Sequence, residues 1–192
     1  ATGYKKFIAD VYAAGCRDLQ FDDCSWGMLV DPLACTLFDT DEKGLKAIKE
    51  QLLELNNMAI AGKPDDLVIN THVCRGNFHS IYASSGAYDG VAQTLLAREN
   101  VGAYYLEFDD ARSGGFAPLA AVSGDKKVVL GLVTTKRAQL EDKDAVIARI
   151  HEAEKYLPLD RLCLSPKCGF ASCEIGNKLT EEEQWAKIAL VK

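Results

Sequence analysis

The sequence predicts an α/β protein organised as a TIM (β/α)8 barrel, and three observations carry that reading. Segments of strand character alternate with segments of helical periodicity, which implies βαβ units and a parallel sheet. Each strand segment runs into polar or metal-ligating residues at its C-terminal end, the face on which a barrel gathers its active site. The glycine-rich phosphate turns of an open doubly wound sheet, GxGxxG or GxxxxGK(S/T), do not occur in the chain. The count falls short, however: five strands are legible, where a barrel has eight strands and about 250 residues.

The elements follow in order. Tyr4 to Gly15 places Phe7, Ile8, Val11, Tyr12 and Ala14 on one side of a helix, and Gly15 is positioned to stop it. Leu19-Gln20-Phe21 is a short strand entering Asp22-Asp23, and residues 24–40, with Gly27 and Pro32, read as a long connecting loop. Asp39-Thr40-Asp41 caps a helix from about Glu42 to about Ala61, striped by Leu45, Ile48, Leu52, Leu53 and Leu55. A buried strand begins at Val68. Val91, Leu95 and Leu96 mark a helix ending at Asn100, and Tyr104-Tyr105-Leu106 is a strand into Glu107. Val128 to Val133 is a strand into Thr134-Thr135-Lys136, and Asp144 to Tyr156 is a helix that Pro158 helps to end. Arg161 to Leu164 is the last strand, reaching Ser165-Pro166-Lys167-Cys168-Gly169. Thr180-Glu181-Glu182-Glu183 has the pattern of a capping box and opens a final helix whose apolar face includes Trp185.

Composition narrows the function classes. The 192 residues can bury a sizeable core, and 48% hydrophobic with 26% charged residues describes a soluble globular chain. Twenty-two basic against 28 acidic residues give a formal charge of −6 with no basic stripe, which argues against nucleic acid and anionic membrane as partners. No apolar run approaches a membrane span, and the first residues lack the pattern of a signal peptide. Seven cysteines (16, 24, 35, 74, 163, 168 and 173) form an odd set without a secretory context, which points to a reducing, cytoplasmic setting. Some of these thiols then serve metal or chemistry, and the rest are small core hydrophobes.

The stretch Val68 to Asn77 organises the rest. Alternation along a strand sends His72 and Cys74 to the same face, where the apolar run gives way to Arg75-Gly76-Asn77. A nitrogen and a thiolate on one strand end make half of a zinc site. Barrel closure would bring Glu107 and Cys168 to the same axis, and a histidine, two thiolates and a carboxylate all suit zinc. Read singly, each residue favours the plainer reading, Cys74 and Cys168 as buried hydrophobes and Glu107 as an ion-pair partner of Arg112.

Asn70-Thr71-His72-Val73-Cys74, Leu106-Glu107 and Ser165-Pro166-Lys167-Cys168-Gly169 resemble the zinc motifs of cobalamin-independent methionine synthase. The resemblance runs from Ala14-Gly15 to the final helix and is closest to the shorter, single-barrel relatives. It implies the methionine synthase/uroporphyrinogen decarboxylase type of barrel, represented by about strands four to eight, so that 1–192 would be the C-terminal part of one catalytic domain. It further implies His72, Cys74, Glu107 and Cys168 as ligands of Zn2+, and homocysteine and a folate-type methyl donor as substrates. Asp22 in Gln20-Phe21-Asp22-Asp23 matches the acid that holds the amino group of the amino-acid thiol. The acid–base histidine of the family falls at Lys136, so a lysine would donate a proton or hold an anionic group of the donor. A different methyl donor such as a corrinoid, another thiol acceptor, or a metal-binding chain without catalysis are the alternatives. The missing early strands imply an N-terminal barrel segment or a second copy as a partner.

Methyl transfer to sulfur requires a thiolate, and an unperturbed thiol with pKa ~8.5 is only about 3% ionised at pH 7. Metal binding deprotonates and orients it. Asp23, Asp109, Asp110 and Arg112 are candidates for the mouth of the site, with Asp23 and Arg112 as substrate-binding residues, and Trp26 is a candidate roof. Cys163 is expected to turn away from Cys168 into packing. Cys16, Cys24, Cys35 and Cys173 read as non-ligands, and His79 and His151 as surface histidines.

Overall fold

The computed structural model describes residues 1–192. Five strands form one sheet: β1 (Asp18–Asp22), β2 (Val68–Val73), β3 (Ala103–Glu107), β4 (Lys127–Val133) and β5 (Leu162–Pro166). They lie in the order β1-β2-β3-β4-β5, and every pairing is parallel. Sequential parallel order without a reversal is barrel winding, and it excludes the switch point of a doubly wound sheet.

Helix α1 (Thr2–Ala13) precedes β1, and Gly15 at φ +103° turns the chain out of it, a conformation that favours glycine. The loop expected at 24–40 contains two short helices, α2 (Cys24–Met28) and α3 (Ala34–Leu37). Asp23 caps α2 by accepting from the Ser25 amide, an Asx contact that the run of small and polar residues concealed. Helix α4 (Glu42–Ile60) starts as expected at the Asp41 cap. Between β2 and β3 the helical run at 88–98 changes pitch, first a 3-10 helix (Tyr88–Val91) and then a π-helix (Ala92–Leu96). Helix α5 (Lys143–Glu154) links β4 to β5, and α6 (Glu181–Val191) opens on the Thr180/Glu183 capping box. No helix is long and apolar enough to cross a membrane.

Strand alternation divides the sheet into two chemically different faces. Leu19, Phe21, Ile69, Val73, Tyr104, Leu106, Val128, Leu130, Leu132, Leu162 and Leu164 pack with the helices around a core cluster of 28 buried residues. The other face carries Gln20, Asp22, Asn70, His72, Tyr105, Glu107, Gly131 and Ser165. Register aligns these laterally: Asp22 lies beside His72, His72 beside Tyr105, Glu107 beside Gly131, and Gly131 beside Ser165.

Four expectations are corrected. Cys163 is exposed on the polar face because Leu162 and Leu164 already occupy the packing positions of β5. Trp185 is 57% exposed and donates to Glu181, while the buried position of α6 goes to Lys187, whose ammonium is held by Glu141 at 2.9 Å. Leu55 is exposed, lining the open cavity along α1 and α4 rather than packing in the core. Trp26 is fully buried in the core and does not roof a pocket.

Candidate metal centre

The site forms at the C-terminal ends of β2, β3 and β5. His72 belongs to β2, Cys74 follows it immediately, Glu107 ends β3, and Cys168 follows β5. One ligand atom from each of the four lies within 4.8 Å of the others. The Sγ atoms of Cys74 and Cys168 are 3.6 Å apart, Cys168 Sγ is 2.6 Å from Glu107 Oε1, and His72 Nε2 is 3.8 Å from that oxygen. Glu107 is fully buried, and the other three are buried or nearly so.

Gly131 makes room for this approach. A β-carbon there would meet Leu106 O at 2.9 Å, so the strand between Glu107 and Ser165 has no side chain to fill the site. The ladder between β4 and β5 shifts register at Gly131/Val133, next to the segment that delivers Lys167 and Cys168.

The donor set fits zinc. His72 Nδ1 sits 3.2 Å from Tyr105 O, which fixes the proton on that nitrogen. Nε2 is buried without a hydrogen-bond partner, a free lone pair directed at the cluster. Two thiolates bound tetrahedrally at about 2.3 Å stand about 3.8 Å apart, close to the observed separation of the sulfurs.

The electrostatics favour anionic ligands. A hydrogen bond from Cys168, with another from the Gly76 amide, outweighs burial and brings the Cys74 thiol down to about 4. Cys168 moves in the opposite direction, raised by its bond to the Cys74 thiolate, by burial and by the Glu107 charge. A metal ion would deprotonate both. Burial pushes Glu107 up, but the Lys167 charge and bonds from Cys168 and the Arg75 amide bring it below the usual carboxylate range. For His72 burial acts downward, and the neighbouring Cys74 and Glu107 reverse the balance to a raised pKa.

Asp22 stands beside the cluster, next to His72 in register, and borders a cavity of about 290 Å³ that His72, Glu107 and Cys168 also line. Burial and the Cys74 charge raise its pKa. Asp22, Cys24 and Cys74 also place their ligand atoms within 4.8 Å of one another, although Asp22 and Cys24 are exposed. Asp23 points elsewhere: it caps α2 and accepts from Asn56 at 2.9 Å, and it lines the neighbouring cavity of about 660 Å³ along α1 and α4. Arg112 is 3.0 Å from Asp109, contacts Asp110, reaches Glu107 at 3.4 Å and lies over the Tyr82 ring. Lys136 donates to Gly76 O at 2.8 Å and to Asn77 Oδ1 at 2.9 Å, and burial with the nearby Lys167 charge lowers it to about 8. His79 is half-buried rather than on the surface, its Nδ1 3.0 Å from Gly176 O.

Three site residues, Lys167, Arg75 and Asn77, are not anticipated from the sequence, and Asp109, a candidate for the mouth, has a buried anchoring part instead. Lys167 places its ammonium 2.9 Å from Glu107 Oε2, in a pair with no solvent exposure. Asp109 accepts from the Thr134 hydroxyl at 2.8 Å and anchors Arg112. Arg75 offers its amide to Glu107 Oε1 at 3.0 Å, and its guanidinium lies over Tyr88. Asn77 bridges the loops after β2 and β5, donating to Gly169 O at 3.0 Å. Lys167 carried a signal, because it is the immediate neighbour of a candidate ligand in Ser165-Pro166-Lys167-Cys168.

Fold and cluster together define an α/β barrel sheet with a candidate thiolate-rich metal centre at its C-terminal strand ends. The chain belongs to the family described as the cobalamin-independent synthase catalytic domain, whose model matches residues 1–188. YxjG, an uncharacterised protein of Bacillus subtilis (strain 168), is 48% identical over 196 residues, covering 96% of this chain and 49% of its own length. A solved Listeria monocytogenes protein, described as a candidate vitamin-B12 independent methionine synthase, is 37% identical. It superposes with a TM-score of 0.74 over 99% of this chain and 52% of that one. A 5-methyltetrahydropteroyltriglutamate–homocysteine methyltransferase of Herpetosiphon aurantiacus is 27% identical over 103 residues, 53% of this chain and 12% of its own. The chain therefore spans about half the length of curated relatives such as YxjG.

Proposed function

We propose that the chain carries the metal-binding part of a zinc-dependent methyltransferase that passes a methyl group from 5-methyltetrahydrofolate, or a related donor, to homocysteine, giving methionine. The observation that carries this reading is the convergence of His72 Nε2, Cys74, Glu107 and Cys168 within 4.8 Å at the strand ends. Membership of the synthase family supports it. In this reading the four residues hold Zn2+, which would supply a thiolate from the substrate thiol at neutral pH.

The chain's own residues divide the remaining work. Asp22, at the rim of the cavity, receives the substrate's amino group, and its carboxylate adds negative charge beside an ammonium. Asp23 holds the local backbone in place through α2. Arg112 has three carboxylates around its guanidinium, so it acts on bound substrate through Glu107. Lys136, buried and poised at about 8, supplies a proton or a cation to the donor side. Glu107 is the hardest donor of the set and would be the one to yield its place to a substrate thiolate. Position 136 is a lysine where the family's acid–base histidine would fall, which supports a second reading with a related methyl donor such as a corrinoid.

We read the five strands as strands four to eight of one barrel. β1 and β5 each have one neighbour in the sheet, and an N-terminal barrel segment or a second copy would complete it. Cobalt-substituted chain titrated with homocysteine tests the substrate assignment. A new sulfur-to-cobalt absorption band that weakens in Asp22→Asn is expected, and no spectral change on adding homocysteine contradicts it. Methyl-transfer assays with a panel of donors then choose between the folate and corrinoid readings.

A further inference from the structure

Glu107 is held asymmetrically. Its Oε1 faces the other ligand atoms, 2.6 Å from Cys168 Sγ and 3.8 Å from His72 Nε2, and it accepts from the Arg75 amide at 3.0 Å. Its Oε2 faces away from them, 2.9 Å from Lys167 Nζ and 3.4 Å from Arg112 Nη2. Lys167 and Glu107 side chains have no solvent exposure, so the pairing of their charges is dry. Lys167 Nζ makes no well-directed hydrogen bond and acts as a bare positive charge against that oxygen. Asp109 stands behind both cations, 3.8 Å from Lys167 and 3.0 Å from Arg112, and is itself fixed by Thr134.

We propose that Lys167, seconded by Arg112, is a positioning residue that reserves Oε2 of Glu107, so that Glu107 binds the metal through one oxygen and can leave it. This rests on the zinc reading above. Two consequences follow from electrostatics. A carboxylate with one oxygen committed to a buried ammonium cannot chelate without breaking that pair. A carboxylate displaced by a substrate sulfur keeps a compensating charge, so its release leaves no unpaired buried anion, which would otherwise oppose the exchange. The same two consecutive residues of the chain therefore do opposite jobs: Cys168 supplies a ligand, and Lys167 makes another ligand replaceable.

Zinc-loaded wild type, Lys167→Met and Lys167→Arg are compared by zinc K-edge absorption with and without homocysteine, and by chelator competition for zinc. In the wild type the added thiol is expected to raise the sulfur count from two to three with loss of the oxygen. Lys167→Met, which keeps length and removes charge, is expected to retain the oxygen in the presence of thiol. It should also hold zinc more tightly and bind homocysteine more weakly, each on the order of tenfold, the range seen when outer partners of metal ligands are altered. Lys167→Arg should restore the exchange. Arg112→Met removes the second cation independently and should shift the exchange in the same direction by less. Zinc-loaded Lys167→Met that exchanges oxygen for sulfur as the wild type does would overturn the inference, as would Lys167→Arg behaving like Lys167→Met. A wild-type chain that takes up no zinc overturns the functional reading instead, so the two failures are distinguishable.

Discussion

Cys74 and Cys168 are 94 residues apart in the chain, and their sulfur atoms are 3.6 Å apart in the structure. The four parallel strands from β2 to β5 bring them together, and neither sulfur carries meaning without Glu107 and His72 beside them. The ligand set implies that Cys74→Ser and Cys168→Ser each lower zinc affinity at least a hundredfold, because a hydroxyl replaces a thiolate. Cys163→Ser, on the exposed part of β5, should leave it unchanged. Chelator competition on the three variants checks this, and equal affinities would contradict it.

Removal of metal should make the same two sulfurs vulnerable. Stripped of zinc and exposed to peroxide, the chain is expected to lose two of its seven titratable thiols as a Cys74–Cys168 disulfide. The zinc-loaded chain should retain all seven. Peptide mapping identifies the pair, and a stripped chain that keeps its seven thiols would contradict the geometry.

Asn77 joins the loop after β2 to the loop after β5 and also accepts from Lys136. Asn77→Ala leaves a buried ammonium with one partner and should destabilise the chain by about 1–3 kcal/mol. Chemical denaturation measures this, and zinc affinity should fall with it because the loops carrying Cys74 and Cys168 are no longer tied. Unchanged stability and affinity would contradict the clasp.

Glu99 is buried, and burial raises it from an ordinary value near 4.5 to about 7, with Asn56 Nδ2 2.7 Å from its Oε1. Between those values the folded chain holds a proton that the unfolded chain has lost. Stability therefore falls as pH rises from about 4.5 to about 7, by at most about 3 kcal/mol, and is flat above. Glu99→Gln keeps the Asn56 contact and should abolish the slope, raising the melting temperature at pH 8. Superimposable melting curves across this range would contradict the assignment.

Much of the fold was legible because the periodicities are local. The Asp41 cap, the Thr180/Glu183 box and all five strands are written in short stretches. The four-residue cluster was legible for a different reason: each member ends or follows a strand, and a parallel sheet gathers strand ends. What alternation could not reveal is which face of β5 is packed, because Leu162 and Leu164 compete with Cys163 for it. Nor could a helical wheel tell that Lys187 rather than Trp185 turns inward, since the buried lysine is matched by Glu141 from a distant loop. Lys167 adjoins Cys168 in the sequence, but its pairing was not legible, because its partner Glu107 is 60 positions away in a different strand.

Zinc stoichiometry with K-edge absorption on the purified chain tests the central claim most directly. One zinc per chain is expected, with two sulfur neighbours at about 2.3 Å and the remaining neighbours nitrogen or oxygen at about 2.0–2.2 Å. A chain that binds no zinc, or binds it without sulfur neighbours, would contradict the account.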